Sequence, residues 1–300
     1  MARRPRVFVA TRPEQVPGDC RRFISVDGAV PGAEITWDHH QTGERINLDT
    51  LPSAFDLEGF DGIGTTLADT DALASVVALL AGGPSRLSPG ARAVLECASH
   101  HCDHLRPHPG HGGRANRLGE RLDNHVATEL AAVSPARRSG RFSRLCRDIL
   151  RALPGPFPGR AAPPWAPLVA RAEAEGRLSM HGGVLLVDLR RGWRTPVRPD
   201  AWYAARPECR AAVVAERHPR GGPRYTMGQN PFLADPPDMR PVLGALAAAE
   251  FARGAPALGP EARPGMENWG GRREVGGSPW NYGSRLAPGE VASIVATALG

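Results

Sequence analysis

At 300 residues the chain is long enough for two domains, and a hydrophobic content of 41% suits a globular protein rather than a disordered one. No apolar run approaches the roughly 18 residues of a membrane span, and the basic start Met-Ala-Arg-Arg-Pro-Arg has no apolar stretch behind it, so a cytoplasmic protein is expected. All 37 basic residues are arginine, which excludes a lysine-dependent phosphate loop and Schiff-base chemistry; the net charge of +6 is compatible with an anionic substrate.

The first apolar run, Val7-Phe8-Val9, continues into Ala10-Thr11-Arg12 and carries no acidic pair. Ile24-Ser25-Val26-Asp27-Gly28 reads as a strand ending in a carboxylate. Glu34-Ile35-Thr36-Trp37 reads as a buried strand that delivers Asp38-His39-His40 at its carboxyl edge, where open α/β sheets bind ligands. One carboxylate and two imidazoles placed there can bind a metal, act as acid or base, or simply cap the strand end.

Ala68-Asp69-Thr70-Asp71 opens a predicted helix over 71–81. Its positive end favours the two aspartates, either as converging ligands or as an N-cap with a first-turn acid. The next predicted helix, 90–98, runs into Ser99-His100-His101-Cys102-Asp103-His104. There Asp103, with His100 or His104, could join a metal centre. Cys97, Cys102, His108 and His111 make a zinc module conceivable, although their spacing fits no familiar pattern. Five irregularly spaced cysteines do not describe a disulfide framework, and Cys97 and Cys146 read as core residues.

Helices are predicted over 117–133 and 141–153. The second carries Arg141, Arg144, Arg147 and Arg151 on one face, extended by Arg137 and Arg138; this reads as a solvated face, with phosphate contact as the alternative. The Pro/Gly-rich stretch from Leu153 to Pro164 reads as a linker, followed by a short helix from Leu168 to Gly176. After 177 strands dominate: Val184 to Leu189, Ala211 to Ala215 and Arg224 to Gly228, the last two joined by a turn from Pro219 to Pro223. A helix over about 238–252 and a final helix from Pro288 complete the elements. Between them, Trp269-Gly270-Gly271-Arg272-Arg273-Glu274-Val275-Gly276-Gly277-Ser278 reads as a loop whose backbone N–H groups and guanidinium groups could grip an anion. The fold class expected is α/β, with a parallel-sheet domain over 1–152, the linker and short helix over 153–176, and a smaller mixed α/β domain over 177–300.

Together, Asp27, the Asp38-His39-His40 triplet and the Asp69-x-Asp71-Ala72-x-x-Ser75 element resemble the DHH phosphoesterase superfamily, which is named for that triplet. The resemblance implies a parallel-sheet DHH domain followed by a glycine-rich substrate-binding domain. It further implies two divalent ions, manganese in most members and magnesium as the alternative, held by Asp27, Asp38, His40, Asp69, Asp71 and Asp103. His39 is then the catalytic imidazole facing the scissile phosphate, and Gly270, Gly271, Arg272, Arg273, Gly276, Gly277 and Ser278 grip the substrate in the cleft between domains. The substrate implied is a phosphorylated small molecule or short nucleic acid; Trp269, Trp280 and Tyr282, as residues able to stack on a base, favour a nucleotide. A homodimer is compatible with all of this.

Two departures accompany the resemblance. Family members carry the Asp-x-Asp element ahead of the triplet, whereas here it follows. Either 69–71 fills the usual metal site from a new chain position, or the first metal motif is lost and 69–75 is the ordinary helix after the triplet. The paired glycines also lack the histidine that usually follows them. A binding protein of the same fold without catalysis is therefore the rival reading.

Overall fold

A computed structural model describes residues 5–42, 45–104, 106–131, 133–153, 165–191, 199–218, 220–255, 267–279 and 281–300. The chain divides into two compact units, one ending at Pro163 and the other starting at Pro164. The expected linker falls mostly outside the described residues, as do Pro219 and Trp280.

The first unit is built on strands β1 (Arg6–Val9), β2 (Phe23–Val26), β3 (Ile35–Trp37) and β4 (Gly62–Thr65), all parallel in the order β1-β4-β2-β3. Helices α1 (His39–Thr42), α2 (Thr70–Leu80), α3 (Pro89–His104), α4 (Gly113–Ala131) and α5 (Pro135–Ala152) follow in chain order. β2 is buried along its length, as its Phe-Ile-Ser-Val sequence requires of a central strand. Glycine at 62 and 64 makes room on β4 for the Phe8 ring, whose atoms would lie 2.9 and 2.8 Å from a Cβ at those positions.

Buried residues cover α2 from Thr70 through Leu79, the pattern of a helix enclosed by its neighbours. α3 runs beyond the predicted 98 to His104, because the polar residues that hid the helix in sequence are themselves satisfied. His100 Nδ1 meets the Arg106 carbonyl at 3.1 Å and His104 Nε2 meets the Arg45 carbonyl at 2.9 Å. α3 and α4 cross closely at Gly119, where a Cβ would lie 2.5 Å from that of Cys97. On α5, Phe142, Leu145, Cys146 and Ile149 are buried and Arg137, Arg144, Arg147 and Arg151 are exposed, so the arginine stripe is the outer face of an amphipathic helix.

One expectation changes: β3 is the edge strand and only partly buried, its Trp37 ring meeting Phe55 edge-to-face at 5.0 Å. Its carboxyl end still delivers the triplet.

The second unit has helix α6 (Trp165–Ala174), strands β5 (Leu178–His181) and β6 (Val184–Asp188), helix α7 (Pro199–Ala205), strands β7 (Ala211–Arg217) and β8 (Pro223–Gln229), helix α8 (Arg240–Ala252), strands β9 (Gly270–Gly271) and β10 (Val275–Gly277), and helix α9 (Pro288–Leu299). The sheet order is β5-β6-β7-β8-β10-β9, parallel only between β6 and β7. Tyr225, Met227, Val242, Leu246, Trp269, Val291 and Val295 form its core. The stretch expected to be a glycine-rich loop is a short hairpin at the sheet edge. Among the described residues, no helix is long and apolar enough to cross a membrane.

Candidate metal centre

The parallel sheet brings the carboxyl ends of β2, β3 and β4 side by side, and each leads directly into a candidate ligand. Asp27 follows β2, the triplet follows β3, and Asp71 lies in the first turn of α2 beyond β4. Asp27 has a φ of 49°, the left-handed region, and is the only non-glycine described residue with a positive φ. Its carbonyl accepts from Thr65 Oγ1 at 3.3 Å and Thr66 Oγ1 at 3.2 Å, and its N–H donates to the Trp37 carbonyl at 3.0 Å. The next residue must be glycine, since a Cβ there would lie 2.0 Å from Thr66 Oγ1. Strain held in this way is a common mark of a functional turn.

Three carboxylates from different elements converge on one imidazole nitrogen. His39 Nε2 lies 3.4 Å from Asp27 Oδ1, 3.3 Å from Asp71 Oδ2 and 3.4 Å from Asp103 Oδ2. Ligand atoms bound to one ion at about 2.1–2.2 Å lie about 3.0–3.5 Å apart, depending on the angle between them. The spacing of His39, Asp71 and Asp103 therefore fits one divalent cation, while Asp27 groups with His39 and His40. The chemistry of the His39, Asp71 and Asp103 set fits as well, one imidazole and two carboxylates, and beside it Asp27 Oδ1 is buried without a hydrogen-bond partner among the described residues. Asp71 is held rigidly by both its oxygens accepting from the Asn47 N–H at 3.1 Å each, and Oδ1 also from the Ser99 hydroxyl. Burial, then the neighbouring Asp103 and Asp27 carboxylates, push its carboxyl well above the ordinary range, while the Ser99 hydrogen bond pulls it back. Without a cation Asp71 holds its proton to higher pH than a free carboxyl, and a bound cation would favour its release.

A second grouping, Asp27, His39 and His40, shares His39 with the first. His40 differs from His39 in exposure: its side chain is 59% exposed against 0%. Its Nδ1 lies 2.9 Å from Asp38 Oδ1 and 3.6 Å from Asp27 Oδ1. Asp38 is thus engaged with His40, its own oxygen also accepting from the His40 N–H at 3.1 Å.

Asp69 stays close enough to the centre to feel the Asp27 and Asp103 charges, and the other expected site residues belong to the second unit. Asp69 caps α2, its carboxylate accepting from Ala72 N–H at 3.0 Å; burial, followed by the charge of Asp27, holds its carboxyl well above the ordinary value. Gly270, Gly271, Gly276 and Gly277 pair with one another across the β9–β10 hairpin, and Ser278 Oγ accepts from Tyr225 N–H at 2.9 Å. A Cβ at Gly271 would fall 2.3 Å from the Val275 carbonyl, which explains the glycine without a ligand. Arg272 lies 3.9 Å from Glu274, and the Arg273 carbonyl accepts from Met239 N–H at 2.9 Å. Trp269 is buried, stacked on Tyr225 at 5.8 Å, and the Tyr282 hydroxyl donates to the Glu267 carbonyl at 3.0 Å.

Among the described residues, the groupings able to hold a metal include neither Cys97, Cys102, His108 nor His111. His111 instead meets Glu96 at 2.6 Å, burial pushes His100 down to about 3, and burial pushes the Cys97 thiol up to about 11. Two participants had no signal in the sequence: Asn47 and Ser99, neutral residues whose value lies in where the fold places them.

No family model matches the chain, and no curated protein matches it. A solved structure described as "pGpG-specific phosphodiesterase - PggH from Vibrio cholrae" aligns over 86% of this chain and 92% of its own, at 12% identity and a TM-score of 0.37. A likeness of that size leaves the function to be argued from the side chains.

Proposed function

We propose that this chain is a divalent-metal-dependent phosphoesterase of the DHH type, hydrolysing a phosphodiester or phosphoanhydride of a nucleotide or short oligonucleotide. The observation that carries the reading is the convergence of Asp27, Asp71 and Asp103 on His39 Nε2 at 3.3–3.4 Å within a buried pocket of carboxylates. Manganese suits this mixed nitrogen and oxygen set better than magnesium, which prefers oxygen ligands and retained waters. A divalent ion there supplies Lewis acidity, polarising a phosphoryl oxygen and acidifying a water.

The roles within the triplet are divided the other way round from the family-based expectation. His39, buried among three carboxylates, is the ligand. His40, exposed and held through Nδ1 by Asp38, is the imidazole that meets the scissile phosphate. Asp38 orients the His40 ring through Nδ1, leaving Nε2 to face the phosphate, neutralise its charge and supply a proton to the leaving oxygen. Asp71 does what the relocated Asp-x-Asp element was expected to do, while Asp69 serves the helix end. Arg272 and Arg273 remain the proposed phosphate contacts of the second unit, as side chains on the hairpin rather than through its backbone.

A binding protein without catalysis is the second reading, favoured by the β1 exit, where Ala10-Thr11-Arg12 offers no carboxylate. Metal-stripped protein resupplied with Mn2+ and given bis-p-nitrophenyl phosphate separates the two. Hydrolysis that depends on Mn2+ and disappears in His39→Ala supports the phosphoesterase; Mn2+ binding without hydrolysis of this or any dinucleotide substrate supports the binding protein.

A further inference from the structure

We infer that Asn47 is a positioning residue that sets the metal affinity of the centre by clamping the His39 segment to α2; the inference rests on the metal-centre reading above. Asn47 is fully buried and opens the 3-10 turn Asn47–Thr50. Its side-chain Oδ1 accepts from the His39 N–H at 3.1 Å, and its Nδ2 donates to Ser75 Oγ at 3.0 Å. Its backbone N–H donates to both Asp71 oxygens. One residue therefore holds the backbone of the imidazole ligand, the carboxylate of a second ligand, and the next turn of the helix bearing that carboxylate.

The geometry explains why an amide is needed. The His39 N–H requires an acceptor and the Ser75 hydroxyl is offered a donor; asparagine presents both from one side chain at full burial. Its backbone N–H bonds fix the Asp71 carboxylate, and the Ser99 hydroxyl on α3 holds Asp71 Oδ1 from the other side. Ser99 and Asp103 are one turn apart on α3, so the same carboxylate links the helix that supplies the third ligand. Removing the Asn47 side chain leaves His39, Asp71 and Asp103 in the chain but frees His39 to move against Asp71. Outer partners of this kind typically change metal affinity by about 10–100-fold.

The test is calorimetric titration of metal-stripped full-length protein with Mn2+, for the parent, Asn47→Ala, Asn47→Asp, Ser75→Ala and the Asn47→Ala, Ser75→Ala double variant, with the Mn2+ electron paramagnetic resonance spectrum of each. Asn47→Ala should bind Mn2+ about 10–100-fold more weakly than the parent. Asn47→Asp keeps an acceptor for His39 N–H and an acceptor for the Ser75 hydroxyl, and should bind at least as tightly as the parent. Ser75→Ala should weaken binding by a smaller factor, and the double variant should bind no more weakly than Asn47→Ala alone, because both act through one contact. Equal weakening by Asn47→Ala and Asn47→Asp, or a parent-like affinity in Asn47→Ala, overturns the inference. Should Asn47→Ala fail to fold, Ser75→Ala decides: a parent-like Kd and spectrum overturn it. A parent that binds no Mn2+ overturns the metal-centre reading itself, an outcome distinct from all of these.

Discussion

Two adjacent histidines in one triplet occupy opposite environments, and their chemistry divides accordingly. His39 lies among three carboxylate oxygens with no exposure, while His40 is open to solvent beside Asp38. His39→Ala should therefore abolish tight Mn2+ binding, whereas His40→Ala should leave binding nearly intact and lower kcat by about 10²–10⁴, the usual contribution of a positioned acid or base. Steady-state kinetics beside Mn2+ titration checks the split; loss of binding in His40→Ala alone would reverse the assignment. The acidic and imidazole ligands were legible because few residue types bind metals and each follows an apolar run. Asn47 and Ser99 were not, since a neutral residue in a loop or mid-helix carries no pattern; only their hydrogen bonds to Asp71 and His39 give them meaning.

At the scale of elements, the strands and helices that build the centre were readable from apolar runs and helical spacing. β2, α2, α4, β6, β7 and β8 lie close to their expected places, whereas α5 starts at Pro135 rather than the predicted 141. What escaped has physical causes. The last turn and a half of α3 is rich in polar residues, yet Ser99, His100 and His104 are buried and hydrogen-bonded, so the helix continues and carries Asp103 into the centre. The β9–β10 hairpin looks like a loop because its glycines answer to backbone crowding rather than to strand propensity. The α3–α4 crossing depends on Gly119, and a larger residue there must push the helix bearing Asp103 away. Gly119→Val should destabilise the protein by about 1–3 kcal/mol in denaturant unfolding and weaken Mn2+ binding as well. Unchanged stability would show that the helices separate without cost.

For the molecule as a whole, the metal-free centre is a concentration of buried carboxyl groups, and its contribution to stability should depend on pH in a definite direction. The Asp69 and Asp71 carboxyls sit well above their ordinary value of 3.8, so the folded state holds protons that the unfolded chain has released. Stability is then greatest below pH ~4, where both states are protonated at these groups, and falls as pH rises from there through the raised values. Thermal unfolding of metal-stripped protein should show this contribution as a melting temperature that declines over that window, relative to an Asp71→Asn variant. Mn2+ should restore more stability at higher pH, because binding then displaces fewer protons. A parent and an Asp71→Asn variant with parallel pH profiles would mean that Asp71 is not a proton-holding member of the cluster.

The central claim is that one carboxylate of the 69–71 pair, Asp71, joins His39 and Asp103 around an ion while Asp69 caps its helix. Mn2+ titration of metal-stripped parent, Asp71→Asn and Asp69→Asn proteins tests it most directly. The account predicts one tight class of site in the parent, weakened by about 100-fold or more in Asp71→Asn and little changed in Asp69→Asn. Tight binding that survives in Asp71→Asn and is lost in Asp69→Asn would contradict it.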